Sequence, residues 1–306
     1  MCNTTAANAA GRAANRHARG TEMFIQMYHE RYMRFPEGKE KAVTFSYDDG
    51  VAADRKLIEI LNKNGLKGTF NLNSELFDAQ SWHNRLNEEE TIALFKDSGH
   101  EIALHGARHI FLSKVPLPLA IKEVCDNRAY LEEKFGRIVN GMAYAYSGVN
   151  DEVAEVLKAL GVQYARTTVS THSFAIPSDW LHLNPTVHHT ELCLEELTEK
   201  FLSGKPSDEF KNREPWLYYV WGHAYEFDDN GDWDRIEYLC RKVGQDKGVW
   251  AATNGDICDY VKCYNALVYS VDGERAYNPS HRSVWVEIRG KVYEVPSGAT
   301  VQFGRA

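Results

Sequence analysis

Two hydrophobic periods alternate along most of this chain. Lys41–Tyr47 is a short run rich in Val, Phe and Tyr, the composition of a strand. Asp54–Asn64 follows with Leu57, Ile60 and Leu61 on one face of a 3.6-residue repeat and Gly65 as its stop, which predicts a helix. Gly68–Leu72 predicts the next strand. Asn87 with Glu90 three residues on has the capping-box spacing, and the helix it opens is expected to end at Gly99. Glu101–Leu104 reads as a strand and Leu117–Phe135 as a long helix closed by Gly136. Met142–Tyr146 reads as extended chain, and Asn150 as the cap of a helix closed by Gly161. The runs Val162–Thr167, Glu191–Phe201, Trp216–Trp221, Ile236–Val243, Val249–Ala252 and Asp256–Lys262 complete the series.

Strands alternating with helices predict parallel βαβ units. Seven repeats suit a (β/α) barrel, with an open doubly wound sheet as the alternative. In both, the site lies at the carboxyl ends of the strands. After Tyr264 the pattern changes: Ala266–Val271 and Val284–Ile288 are β-like, and Arg289-Gly290-Lys291 looks like a turn into Val292–Val295. The expected organisation is a disordered or non-native N-terminus over 1–20, an α/β domain over 21–262, and a small β appendage over 263–306 packed on it.

Composition narrows the function classes. Of 306 residues, 43% are apolar and 25% charged, an ordinary globular balance. The net charge of −8 argues against a nucleic-acid partner, which favours basic surfaces. The 6 cysteines form no C-x-x-C pair, so a zinc–thiolate site is not expected; buried free thiols, Cys125 and Cys240 among them, fit a reducing compartment. Residues 1–20 lack an apolar signal core, and no run reaches membrane length. As written the chain is expected to be cytoplasmic and free of membranes; a lost leader would make it secreted or periplasmic.

Three signals carry chemistry. Thr44-Phe45-Ser46-Tyr47-Asp48-Asp49-Gly50 closes a strand with two carboxylates. Such a pair repels unless a cation or proton intervenes, although a turn-forming Asp-Asp-Gly is the plainer alternative. His105-Gly106-Ala107-Arg108-His109 follows a strand directly, and its histidines share a face if the turn between them is helical. Trp221-Gly222-His223 again follows an apolar strand and positions a histidine as a general acid. Asp, His and His make a three-ligand set that leaves positions open for water and substrate, the pattern of a catalytic metal. A second carboxylate then supplies a base and the distant histidine an acid.

The three motifs, in this order, resemble the first, second and fifth motifs of the NodB-homology polysaccharide deacetylases, over roughly residues 41–262. The resemblance implies a distorted (β/α)7 barrel, here with a C-terminal β appendage, and hydrolysis of acetyl groups on N- or O-acetylated sugars. It implies Asp48 as general base and Asp49, His105 and His109 as ligands of one divalent ion: zinc, or else cobalt, nickel or manganese. It implies His223 as general acid and the Tyr146 N–H as an oxyanion donor. The family's third-motif Arg is replaced by Ala143; Arg166 is either its substitute, orienting the base, or a surface ion-pair member. The fourth-motif Asp-Trp, which supports the acid histidine in the family, has no clean counterpart; Asp179-Trp180 matches by letters but sits in an irregular stretch. One of His188 and His189 is expected to line the pocket. A small non-acetyl amide substrate, or an inactive carbohydrate-binding relative, remains the alternative. The sequence leaves the oligomeric state open.

Overall fold

The computed structural model describes residues 30–77, 83–208 and 213–304, so the segment 1–20 lies outside the described residues. The chain divides into two compact units. The larger, Lys39–Lys262, holds the repeating pattern. The smaller joins residues up to Gly38 with those from Cys263 onward.

We number β1 as Arg31–Arg34 in the smaller unit. The larger unit then runs β2 (Lys41–Asp48), α1 (Asp54–Lys63), β3 (Gly68–Leu72), α2 (Glu88–Phe95), β4 (Glu101–Leu104), α3 (Leu117–Phe135), β5 (Gly141–Ala143), α4 (Asp151–Ala159) and β6 (Tyr164–Arg166). It continues with β7 (Val187–His188), α5 (Leu194–Ser203), β8 (Trp216–Gly222), α6 (Tyr225–Asn230), α7 (Trp233–Gln245), β9 (Val249–Ala251) and α8 (Asn254–Asn265).

All the pairings of this sheet are parallel, in the order β6-β5-β4-β3-β2-β8-β7, with β9 added to β2. Every residue of β2 and of β3 is buried, as expected of parallel strands covered on both faces. No ladder joins β6 to β7 among the described residues. A single bridge from Arg166 to Leu183 stands there instead, and no helix intervenes between these two strands. The result is the distorted (β/α) barrel that the family resemblance implied: a curled sheet left open on one side.

The local signals act as expected. Asn87 and Glu90 form a reciprocal capping box, Asn150 accepts the N–H of Val153, and Gly136 ends α3 at φ 63. Two readings need correction. The extended chain expected over Met142–Tyr146 stops at Ala143, and Ala145–Ser147 turns tightly instead. Cys125 is exposed on the outer face of α3, whereas Cys240, Cys258 and Cys263 are buried.

The smaller unit contains two three-stranded sheets. One orders β1-β12-β13, with β12 Val284–Ile288 and β13 Lys291–Val295; the other orders β10-β11-β14, with β10 Val268–Tyr269, β11 Arg275–Tyr277 and β14 Thr300–Gln302. Arg31–Arg34, assigned by the sequence pattern to the large domain, pairs with β12. Arg289 and Gly290 both have positive φ, which suits the tight turn between β12 and β13. Among the described residues no helix is long and apolar enough to cross a membrane.

Candidate active site

The carboxyl ends of the parallel strands bring the motifs together. Asp48 ends β2, and Asp49 follows at φ 84, a left-handed conformation that turns its side chain away from the strand direction. His105 follows β4, and His109 (φ 57) returns toward it through a non-helical loop that pivots at Gly106 (φ 78). The histidines meet without a helical turn between them; Gly106 and His109 have positive φ, and the rings sit 4.7 Å apart, edge to face. Of the non-glycine residues at positive φ, Asp49, His109, Tyr146 and Ser147 all belong to this rim. Strain concentrated in this way is a mark of functional sites.

Asp49 Oδ1 lies 3.9 Å from His105 Nε2 and 3.7 Å from His109 Nε2. His105 Nδ1 lies 2.8 Å from the Ala143 carbonyl, which can only accept. The Nδ1–H must therefore point there, leaving the lone pair on Nε2, which lies 3.7 Å from Asp48 Oδ2 and 3.9 Å from Asp49 Oδ1. That Nε2 is buried and has no hydrogen-bond partner. Burial and the neighbouring His105 push His109 down to about 4, so its ring is neutral at neutral pH, the state of a ligand. The donor set and the orphaned nitrogen fit a divalent cation held by Asp49, His105 and His109.

Asp48 is almost fully buried, between this cluster and His223: its Oδ2 is 3.7 Å from His105 Nε2 and 3.9 Å from His223 Nε2. Asn71 donates to its Oδ1 at 2.8 Å, and Arg166 donates to its Oδ2. Arg166 is itself fully buried, with its guanidinium 4.3 Å from the Trp221 ring centroid, so it is no surface ion-pair member. Burial alone would raise the Asp48 carboxyl; Arg166, His105 and His223 outweigh it and hold the group well below the usual carboxylate range. Arg166 thus keeps Asp48 ionised while lowering its basicity.

His223 follows β8. Burial works against its charged form, but Glu226 and Asp48 outweigh it, so the ring titrates above the ordinary histidine value. Glu226 takes the place beside His223 that the fourth-motif carboxylate was expected to fill, with Oε2 3.4 Å from His223 Nδ1. Asp179 is exposed and binds His182 at 2.9 Å instead, and Trp180 is half-buried in the same loop. Both His188 and His189 reach the Glu226 carboxylate, not one of them. Tyr146 is half-exposed, stacks on Phe111 at 4.4 Å and meets the His109 ring at 4.5 Å.

Sequence reasoning missed three residues, Asn71, Arg85 and Glu226. Arg85 donates to Asp49 Oδ1 at 2.7 Å and to the Asp49 carbonyl at 2.6 Å, from a segment with no motif of its own. Glu226 had a signal: a carboxylate three residues after His223, where a helix begins.

Residues 35–165 match the family model described as polysaccharide deacetylase. No curated protein matches at a significant level. A solved structure from Mycobacterium smegmatis, assigned as a polysaccharide deacetylase, aligns at TM-score 0.55 and 17% identity, over 76% of this chain and 94% of that one, and shows the fold. The peptidoglycan deacetylase PdaC from Bacillus subtilis aligns at TM-score 0.47 and 16% identity, over 74% of this chain and 94% of that one. The deacetylase PplD from Streptococcus pyogenes, solved with acetate, is 21% identical with TM-score 0.40; the alignment takes in 45% of this chain and spans only 61% of that one. His223 lies outside the matched segment, but Asp48, Asp49, His105, His109 and Tyr146 lie within it: over residues 35–165 the chain is similar to the polysaccharide deacetylases.

Proposed function

We propose that the chain hydrolyses acetyl groups from N- or O-acetylated sugars with a divalent cation, zinc in the first place, held by Asp49, His105 and His109. One observation carries the reading: an ionised, buried Asp48 stands within 4 Å of both the orphaned His105 Nε2 and His223 Nε2. When bound, the cation supplies Lewis-acid polarisation and lowers the pKa of water. Asp48 accepts the proton of the attacking water, and Asn71 and Arg166 fix the direction of its lone pairs. The Tyr146 N–H, set by the left-handed turn after β5, faces the developing oxyanion. His223, kept protonated by Glu226, delivers a proton from Nε2 to the leaving nitrogen or oxygen, and Asp48 close by orients that ring.

Metal content of the purified protein, measured with acetate release from acetylated chito-oligosaccharides and xylans, tests the proposal. One cation lost in His105→Ala, with acetate released by the parent chain, is the expected result. A bound cation without acetate release keeps the site and removes the acetyl-sugar substrate. Failure to take up any cation on reconstitution removes the mechanism.

A further inference from the structure

A second group of ligand atoms lies on the far side of His223. Glu226 Oε2 is 3.1 Å from His189 Nε2, 3.3 Å from His188 Nε2 and 3.4 Å from His223 Nδ1. The His188, His223 and Glu226 ligand atoms all lie within 4.8 Å of one another. These contacts are not well-directed hydrogen bonds: the buried His189 Nε2 and His223 Nδ1 have no hydrogen-bond partner, and the His189 side chain is 0% exposed. Ligand atoms about 2.0–2.1 Å from a tetrahedral ion are separated by about 3.3 Å, so the spacing around Glu226 Oε2 is that of atoms sharing an ion. The Thr190 N–H donates to His188 Nδ1 at 3.3 Å, and Thr190 Oγ1 lies 2.7 Å from the same nitrogen. Ligation through Nε2 therefore takes the tautomer in which Nδ1 carries the proton, gives it to the nearer hydroxyl oxygen and forgoes the longer amide contact.

We propose that His188 Nε2, His223 Nδ1 and Glu226 Oε2 form a second divalent-cation site, of the borderline class that zinc represents, and that filling it switches the acid off. The site stands on these atoms alone; the switch rests on the function proposed above for His223. As a general acid, His223 carries protons on both nitrogens. A cation at Nδ1 takes that lone pair, and the displaced proton leaves to water. The ring is then a neutral, cation-bound imidazole whose remaining Nε2–H is too weak an acid to protonate a leaving group. Proton and cation compete for one nitrogen, so the same chain is active with one ion and inhibited with two.

Equilibrium dialysis of the metal-free full chain against Zn2+, with acetate release followed as the ion is added, tests this. Wild type is expected to bind two ions, and His188→Gln and His105→Ala one each, with circular dichroism confirming that both variants fold. Acetate release by the wild type should peak near one equivalent and fall severalfold as the second ion binds, a fall absent from the His188→Gln titration. A wild type that binds one ion, or a His188→Gln chain that still binds two, overturns the proposal while leaving the first site intact. A His105→Ala chain that binds as many ions as wild type removes the first site instead, and the second then stands or falls on His188→Gln.

Discussion

Two histidine clusters flank Asp48, and they are built differently. The first, Asp49 with His105 and His109, comes from the ends of β2 and β4, the two strands that flank β3, and its histidine nitrogens stand 3.7–3.9 Å from Asp49 Oδ1. The second, Glu226 with His188, His189 and His223, comes from the ends of β7 and β8 and the start of α6, with nitrogens 3.1–3.4 Å from one carboxylate oxygen. In the first, each ligand sits in a short run whose spacing announces it. In the second, the carboxylate belongs to a helix start and the neighbouring histidines to a two-residue strand in an irregular stretch. A cluster can be chemically tight and still leave little trace in the sequence when its members arrive on elements too short to have a period.

Asp48 belongs to neither cluster and touches both, so it breaks the comparison most sharply. Asp48→Asn removes the base but no proposed ligand. Acetate release should fall about 10²–10⁴-fold while the cation at Asp49, His105 and His109 is retained. Near-full activity would sink the base assignment, and loss of the ion would merge Asp48 into the first cluster.

The next largest effect falls on stability. Arg166 and Asp48 are both buried and bonded to each other. Arg166→Met leaves the carboxylate without its cation and should cost about 3–5 kcal/mol, read from chemical denaturation. Adding Asp48→Asn to it should restore part of that loss; if the two costs simply add, the residues are not a pair.

That pair also shows where sequence reading stops. The strands, the caps and the three motifs were legible because each is a local pattern of period 2, period 3.6 or fixed spacing. Arg166 was legible only as one of two possibilities, because its meaning depends on burial, and burial at the end of β6 is set by Trp221 from β8. Arg85 and Glu226 depend on chain folding back across the site. Tyr146 was read as extended chain: the letters Ala-Tyr-Ser do not announce two consecutive residues at positive φ. Arg31–Arg34 pairs with a strand some 250 residues later in the chain, beyond the reach of any window.

Arg85 tests whether the first cluster needs support from outside its motifs. It holds Asp49 through both side chain and carbonyl and is 12% exposed. Arg85→Ala should weaken cation binding at the first cluster about 10–100-fold, the usual cost of losing a residue that orients a ligand, read by equilibrium dialysis. An unchanged affinity would mean that the two histidines fix Asp49 without help.

His100 gives the smallest effect and marks the limit of the comparison, since a buried histidine need not belong to a cluster. It sits just before β4, at the opposite end of that strand from His105, and accepts the Gly68 N–H at 3.0 Å. Its Nε2 is buried without a hydrogen-bond partner, and among the described residues no carboxylate oxygen lies within 4 Å of it, as Asp49 and Glu226 lie beside theirs. Burial, aided by Lys67, pushes it down to about 4 from an ordinary 6.5. The folded chain therefore stays unprotonated where the unfolded chain takes up a proton. Stability from this group is present above pH 6.5 and declines as pH falls toward 4, by up to about 1.4 kcal/mol per unit. His100→Gln should flatten that part of the stability–pH curve without changing the number of bound cations. A changed cation count would give His100 a part in one of the clusters, and an unchanged curve would show that the ring meets water in the folded chain.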